Sequence, residues 1–204
     1  MTIDIAALRI GLARVAAAME RDFEELNAAD GALGDGDLGV TLTRGMRAIM
    51  AQADDLPEDL GRALLACAQA FTKASGSSYG TLMATGLMAI AKELKGETTL
   101  DPARIPDLVA KARDQMQARG KADLGGKTVL DSLDAVATAT AGKTDASALA
   151  DAAATAAETV LETFRDKRAT VGRARIFGDK SVGMDDPGML AMARIVRALA
   201  ARDA

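Results

Sequence analysis

Asp30, Asp35 and Asp37 put three carboxylates within eight positions of a segment that reads DGALGDGDLGVTLTRG, residues 30–45. Gly31, Gly34, Gly36 and Gly39 are interleaved with them, so the backbone can fold tightly enough to aim the three at one point. The sequence contains no histidine, and its single cysteine, Cys67, lies in a separate helical stretch. Carboxylates without imidazole or thiolate suit a hard cation such as Mg2+ and not Zn2+. The segment therefore reads as a loop that holds Mg2+ ions against the phosphates of a nucleotide. Asp35 and Asp37 also admit a simpler role, as cap and first-turn acid of the helix that starts at Leu38. Capping accounts for one or two acids at a helix start, but not for three with glycines between them.

Three other stretches break the helical pattern and could meet an anion. Ala74-Ser75-Gly76-Ser77-Ser78-Tyr79-Gly80-Thr81 is a Ser/Gly turn opening a helix. Such a turn exposes backbone N–H groups that suit phosphate; the same residues equally suit an ordinary helix–helix connection with a serine cap. GKADLGGKT, residues 120–128, looks like a P-loop, yet Lys121 stands where the motif requires its first glycine, and no strand pattern precedes it. It is kept as a glycine-rich loop between helices, carrying Lys121 and Lys127. Residues 170–186, TVGRARIFGDKSVGMDD, gather Arg173, Arg175 and Lys180 among glycines. That basic loop is a candidate lid over an anionic ligand or a plain solvated loop.

Helices must position these segments. Ile5, Leu8, Leu12, Val15, Met19, Phe23 and Leu26 recur at helical spacing and predict one long first helix running to the Asp-rich loop. Leu38 to Met50 reads as the second helix. Leu60 to Phe71 carries the apolar stripe of the third, and Leu82 to Leu94 that of the fourth. Asp101-Pro102 supplies a cap and a first-turn proline for a fifth, ending at Arg119-Gly120. A sixth runs through Leu130 and Val136, and a long Ala-rich seventh is capped by Thr144 or Asp145. Asp186-Pro187-Gly188 opens the last. The sum is about eight antiparallel helices in one all-α domain spanning residues 1–204, with Arg175 to Phe177 the nearest thing to a strand.

Composition narrows the function classes. Hydrophobic residues make up 49% of the 204 but aromatics only 2%, so the core is built from Ala, Leu, Val, Ile and Met. A net charge of −4 and the absence of Trp argue against nucleic acid as a partner. No apolar run reaches the roughly 20 residues of a membrane span, and Asp4, Arg9 and Arg14 interrupt any signal-peptide-like stretch. Cys67, flanked by alanines, reads as a buried inert thiol compatible with a reducing, cytoplasmic setting.

Taken in order, four separated stretches resemble the nucleotide-binding L subunit, or L domain, of dihydroxyacetone kinases. They are D-x4-GDGDLG-x-T-x2-RG from Asp30 to Gly45; ASG at Ala74 to Gly76, with Gly80 beyond; RGKA at Arg119 to Ala122, followed by KT-x2-DSL; and GRA at Gly172 to Ala174 with S-x-G-x2-DPG ending at Gly188. The resemblance implies a barrel of eight antiparallel helices with the nucleotide at one end. It implies that Asp30, Asp35 and Asp37 hold two Mg2+ ions bridging the nucleotide phosphates, and that Leu38, Gly39, Val40 and Thr41 line the phosphate site through their helix N-terminus. Ala74, Ser75 and Gly76 would add phosphate contacts, and Gly120 and Val129 would border adenine or ribose. Arg173 and the Asp186-Pro187-Gly188 turn would close over the nucleotide.

The family's substrate half holds its ketose through a histidine, which this chain lacks. The resemblance therefore implies a phosphoryl-transfer subunit working on dihydroxyacetone, or a related small ketose, held by a K-type partner that also supplies the general base. Subunits coupled to a phosphotransferase-system donor typically show His and Asn where this chain has Leu38 and Thr41, which favours exchangeable ATP over a permanently held ADP. Gly126 and Lys73 also depart from the family pattern. Three alternatives stay open: the donor-coupled ADP form, a fatty-acid-kinase-like nucleotide domain, and a nucleotide-loaded regulator of a transcription factor. Fatty-acid kinases usually carry a proline before the DGD, where this chain has Gly34, and more attached chain. A homodimer is compatible with the sequence.

Overall fold

Side-chain caps mark where most of the helices begin. In the computed structural model, which describes residues 2–201, Asp4 accepts the Ala7 amide at 2.9 Å and opens α1 (Ile5–Arg21). The chain continues with α2 (Phe23–Leu33) and α3 (Leu38–Met50). Asp59 caps α4 (Leu60–Ala74), and Ser77 caps α5 (Ser78–Glu93). α6 (Ile105–Gly120) is followed by α7 (Val129–Thr140), which Thr128 and Asp131 open with a reciprocal capping box. Asp145 caps α8 (Ala146–Arg165), and Asp186 caps α9 (Pro187–Ala200). Among the described residues there is no strand, only an isolated antiparallel bridge between Ile3 and Leu100. The all-α expectation holds.

The long first helix is bent. α1 and α2 meet at Asp22, whose amide still bonds to the Ala18 carbonyl and whose carbonyl accepts the Leu26 amide. The Thr43 hydroxyl of α3 donates to the Met19 carbonyl at 3.3 Å, at the turn before the break, and a side chain reaching into a helix ladder is a recognised cause of kinks. Counted as one bent rod, α1–α2 brings the total to the expected eight. The fifth helix differs in its start: Pro102–Arg104 form a 3-10 turn before α6. Pro106 has no N–H to give the Pro102 carbonyl, so the Ile105 amide takes it in the tighter pattern. The Arg175–Phe177 stretch is no strand either, but part of a 3-10 segment, Ala174–Ser181, interrupted at Gly178.

The helices close into a ring. α1 packs on α3, each later helix packs on the next as far as α9, and α9 returns to α1, while α2 leans on α3 and α9. The inside of the ring is filled by Met19, Leu42, Ile49, Cys67, Phe71, Met189 and Leu190, with alanines between them. Cys67 is buried as expected, and burial pushes its thiol up to about 11, so it stays protonated. Small residues set the spacing: a Cβ on Gly45 would stand 2.2 Å from the Phe71 ring, so α3 and α4 approach this closely only because that position is glycine.

Candidate metal and anion site

Asp30 lies in the last turns of α2, not in a loop, because the helix continues to Leu33. Asp35 and Asp37 sit in the short link before α3, where Gly36 turns the chain at φ +77°. The Asp37 amide donates to Asp30 Oδ2 at 2.9 Å, folding the link back over the helix end. Gly34 is needed for the same reason, since a Cβ there would stand 2.3 Å from Asp30 Oδ1. One carboxylate oxygen from each of the three aspartates lies within 4.8 Å of the others.

The electrostatics of the three differ. Partial burial raises the Asp30 carboxyl above its ordinary value, and the neighbouring Asp35 and Asp37 add to this against the hydrogen bond from the Asp37 amide. Asp35 is held below the usual carboxylate range, chiefly by its hydrogen bond with Arg173, which reaches across from the basic loop to form an ion pair. An all-oxygen donor set of three acids, with a guanidinium already drawn to one of them, fits a hard divalent cation.

Asp37 occupies the N-cap position of α3, but its side chain makes no capping bond. Asn27 of α2 does that work: its Oδ1 accepts the Gly39 amide at 2.8 Å and the Val40 amide at 3.3 Å. Capping is therefore not an additional duty of the Asp37 carboxylate. The same contact means that the Gly39 and Val40 amides are already paired. Leu38 is buried in the main core cluster, so among residues 38–41 it is Thr41 and Val40 that face the open space beside the helix.

That space is a cavity of about 270 Å3. Asp37, Val40, Thr41 and Arg44 line it from α3; Ala74, Ser75, Gly76 and Ser77 line it from the turn between α4 and α5; Arg173 lines it from the basic loop. Ser77 caps α5 by accepting the Gly80 amide at 3.0 Å, while the Ser77 amide leans on Ser75 Oγ at 3.4 Å. Three of the separated motifs thus meet around one cavity. Asn27 was not singled out from sequence, and Arg44 stood only as a fixed position of the first motif, without a role. Their signal was helical spacing: Arg44 falls three residues after Thr41, and Asn27 three before Asp30.

Gly120, Val129 and the Asp186-Pro187-Gly188 turn do not line this cavity. Val129 is buried with Met116, Leu133 and Met192, against Tyr79 and Leu82. Gly120 ends α6 beside Leu82, exposed. Pro187 is buried, and the Gly188 carbonyl accepts the Tyr79 hydroxyl at 3.1 Å. Asp186 is buried as the α9 cap, its Oδ1 accepting the Met189 amide at 2.9 Å, and burial pushes its carboxyl up to about 7. Arg175 and Lys180 are exposed. Lys127, at φ +62°, is fully buried and donates to the carbonyls of Arg165, Lys167 and Ser181 at 2.7–2.9 Å. It ties the end of α8 to the segment that carries Arg173.

The model of the family described as "DAK2 domain" matches residues 32–201. The chain belongs to the DAK2 domain family. It is 27% identical, over 85% of its length and 84% of the relative's, to the ADP-binding subunit DhaL of a PEP-dependent dihydroxyacetone kinase from Listeria innocua. It is 35% identical to the bovine triokinase/FMN cyclase and 30% identical to the L-erythrulose kinase of Pectobacterium atrosepticum, over 86% and 87% of this chain. In those two it spans 31% of the relative's length. The crystal structure of the C. freundii dihydroxyacetone kinase in complex with AMP-PNP and Mg2+ matches 95% of this chain and 33% of its own, with a TM-score of 0.74 at 27% identity. The family is thus the nucleotide-binding one expected from the four motifs, and the helical ring is its fold. No helix among the described residues is long and apolar enough to cross a membrane.

Proposed function

We propose that this chain is a single L-type domain that binds ATP with Mg2+ and passes the γ-phosphate to dihydroxyacetone, or a related small ketose, held on a K-type partner. The observation that carries the reading is the meeting of Asp30, Asp35 and Asp37 with the Thr41, Ser75 and Arg173 walls of one cavity. Bound there, Mg2+ would bridge and neutralise the phosphate oxygens. Asp30, Asp35 and Asp37 would hold it, two ions being the family's number. The Thr41 and Ser75 hydroxyls would orient the phosphates, with the dipole of α3 but not its paired Gly39 and Val40 amides adding to the field, and Arg173 would swing from Asp35 to the charge that builds on the transferring group. Gly120 and Val129 would border the base, with the Asp186-Pro187-Gly188 turn behind them.

These 204 residues hold no histidine, so capture of a ketose through one, and the general base, fall to another chain or domain. A cytoplasmic setting follows from that partnership. Coupled assays of ketose phosphorylation with and without a K-type partner test the reading. Turnover should need both proteins, and vigorous turnover by this chain alone would refute the division of labour. Asp30→Ala, Asp35→Ala and Asp37→Ala should each weaken Mg2+–nucleotide binding in a folded protein; unchanged affinity in all three would remove the metal assignment.

A second reading is favoured by the relatives that this chain spans nearly end to end, the two Listeria ADP-binding subunits of PEP-dependent kinases. In that form ADP stays bound and is rephosphorylated in place. Leu38 and Thr41 argue for exchange instead, and the nucleotide retained after exhaustive dialysis distinguishes the two.

A further inference from the structure

The segment that carries Arg173 meets the helix that carries Asp30 through a small apolar cluster of its own. Leu33, Ala169 and Ala174 are buried together, and Phe177 packs on them. Leu33 ends α2, three residues after Asp30 and two before Asp35, while Ala174 directly follows Arg173. The cluster therefore joins the two stretches of backbone from which the Asp35–Arg173 ion pair is made. The 3-10 turn that begins at Ala174 allows this. Side chains three apart eclipse in such a turn, so Ala174 and Phe177 share the inward side and Arg175 and Ile176 are left outside. Ile176 is 76% exposed, whereas Phe177 beside it is partly buried.

Two kinds of contact thus hold this segment against α2 and the link that follows it. Arg173 and Asp35 are 52% and 49% exposed, and an ion pair so open to water does little to hold a chain in place. Apolar burial, by contrast, is indifferent to where the guanidinium points. Beneath the segment, the Ser181 hydroxyl accepts the Ala169 amide and donates to the Gly178 carbonyl. Lys127 ties the Ser181 carbonyl to that of Arg165 at the end of α8. Those bonds close the segment on itself and on α8, and the Leu33 cluster fixes it relative to α2. With that distance set, Arg173 can exchange Asp35 for a phosphate by moving its side chain alone, without the loop opening.

We propose that Phe177 is a positioning residue: it clamps the Arg173 backbone to the end of the Asp30 helix, so that the guanidinium serves Asp35 in the nucleotide-free chain and the phosphates once nucleotide binds. The proposal rests on the nucleotide reading above. Calorimetric titration with Mg2+–AMP-PNP, and with Mn2+ alone, of the wild-type chain, F177A, R173A, the F177A/R173A double variant and I176A tests it. F177A should lose about three- to tenfold in AMP-PNP affinity, as expected when a charge-assisted contact is misplaced. It should gain about two- to threefold for Mn2+ alone, because Asp35 is released from a half-exposed pair. In the R173A background the same substitution should change neither affinity, since both residues act through one guanidinium. I176A removes a neighbouring apolar side chain that faces outwards and should behave like the wild type. An F177A with wild-type affinities, a loss of both affinities in F177A, equal losses with and without Arg173, or an I176A that matches F177A overturns the assignment while the nucleotide reading stands. A wild-type chain that does not bind AMP-PNP overturns both. F177L keeps part of the apolar contact and should show the same signs at smaller amplitude; it carries the test if circular dichroism finds F177A unfolded.

Discussion

The side chain of Asn27 accepts the amide of Gly39 at 2.8 Å, so the helix that begins beside the three aspartates is capped by the preceding helix and not by the acid at its own N-cap. This contact frees the Asp37 carboxylate to face the cavity and locks α2 to α3. Asn27→Ala should destabilise the chain by about 1 kcal/mol, the usual cost of losing an N-cap side chain. Asn27→Asp, which keeps the acceptor, should restore most of that. Urea unfolding followed by circular dichroism measures both, and equal losses in the two variants would mean that the capping bond is not what matters there.

Arg173 and Asp35 compete with metal for one carboxylate. With the guanidinium removed, the Asp35 carboxyl loses the partner that holds it low, yet its oxygens become available to a cation. Arg173→Ala should therefore raise the affinity of the nucleotide-free chain for Mg2+ or Mn2+ by a factor of about two to five, a modest effect because both side chains are half exposed. With nucleotide present the sign reverses, since a phosphate-facing cation is gone. Titration of Mn2+ with and without AMP-PNP reads both arms; a loss of affinity in each would show that Arg173 does not screen the metal site.

Lys127 anchors the basic loop from beneath. Its buried ammonium serves three carbonyls on two segments, the end of α8 and the Ser181 turn. Burial draws its pKa down, while Asp186 and Asp185 oppose that shift. Lys127→Met keeps the volume but strands three carbonyls, which should cost about 3 kcal/mol. The loop that bears Arg173 should also exchange its amides faster. Unfolding midpoints and hydrogen exchange over residues 168–184 provide the test, and loss of stability without faster exchange in that loop would place the role of Lys127 elsewhere.

The helices were legible because their signals are local. Apolar spacing, the caps at Asp59, Asp145 and Asp186, and the proline that opens α9 all act within a turn or two of chain. The three aspartates were legible for the same reason, being close in sequence and set among glycines. What the sequence concealed was long-range. Nothing local says that Thr43 bends the first helix at Asp22, that Asn27 replaces Asp37 as a cap, or that Lys127, found in a loop that looks like a phosphate cradle, is spent on backbone carbonyls. Lys127 and Arg173 are both cations in glycine-rich loops. Burial against α8 separates them, and that appears only once the ring is closed.

Asp186 gives the chain a distinctive pH dependence. Its carboxyl rises from an ordinary 3.8 to about 7 because it is buried; the amides of Met189 and Gly188 and the charge of Lys127 work against the shift, and Asp131 adds to it. The folded chain binds this proton more tightly than the unfolded one, so the group's contribution to stability falls as pH rises from about 4 to about 7 and is level above that. Over roughly three pH units the loss amounts to about 4 kcal/mol at most. Asp186→Asn keeps a competent helix cap without the ionisation. Wild type and variant should therefore be closest in stability, or the wild type ahead, near pH 4, and the variant should gain steadily on the wild type up to pH 7. Chemical denaturation at half-unit intervals gives the difference curve. A flat difference across that range would mean that Asp186 ionises with an ordinary pKa, its burial offset by Lys127 and the two amides.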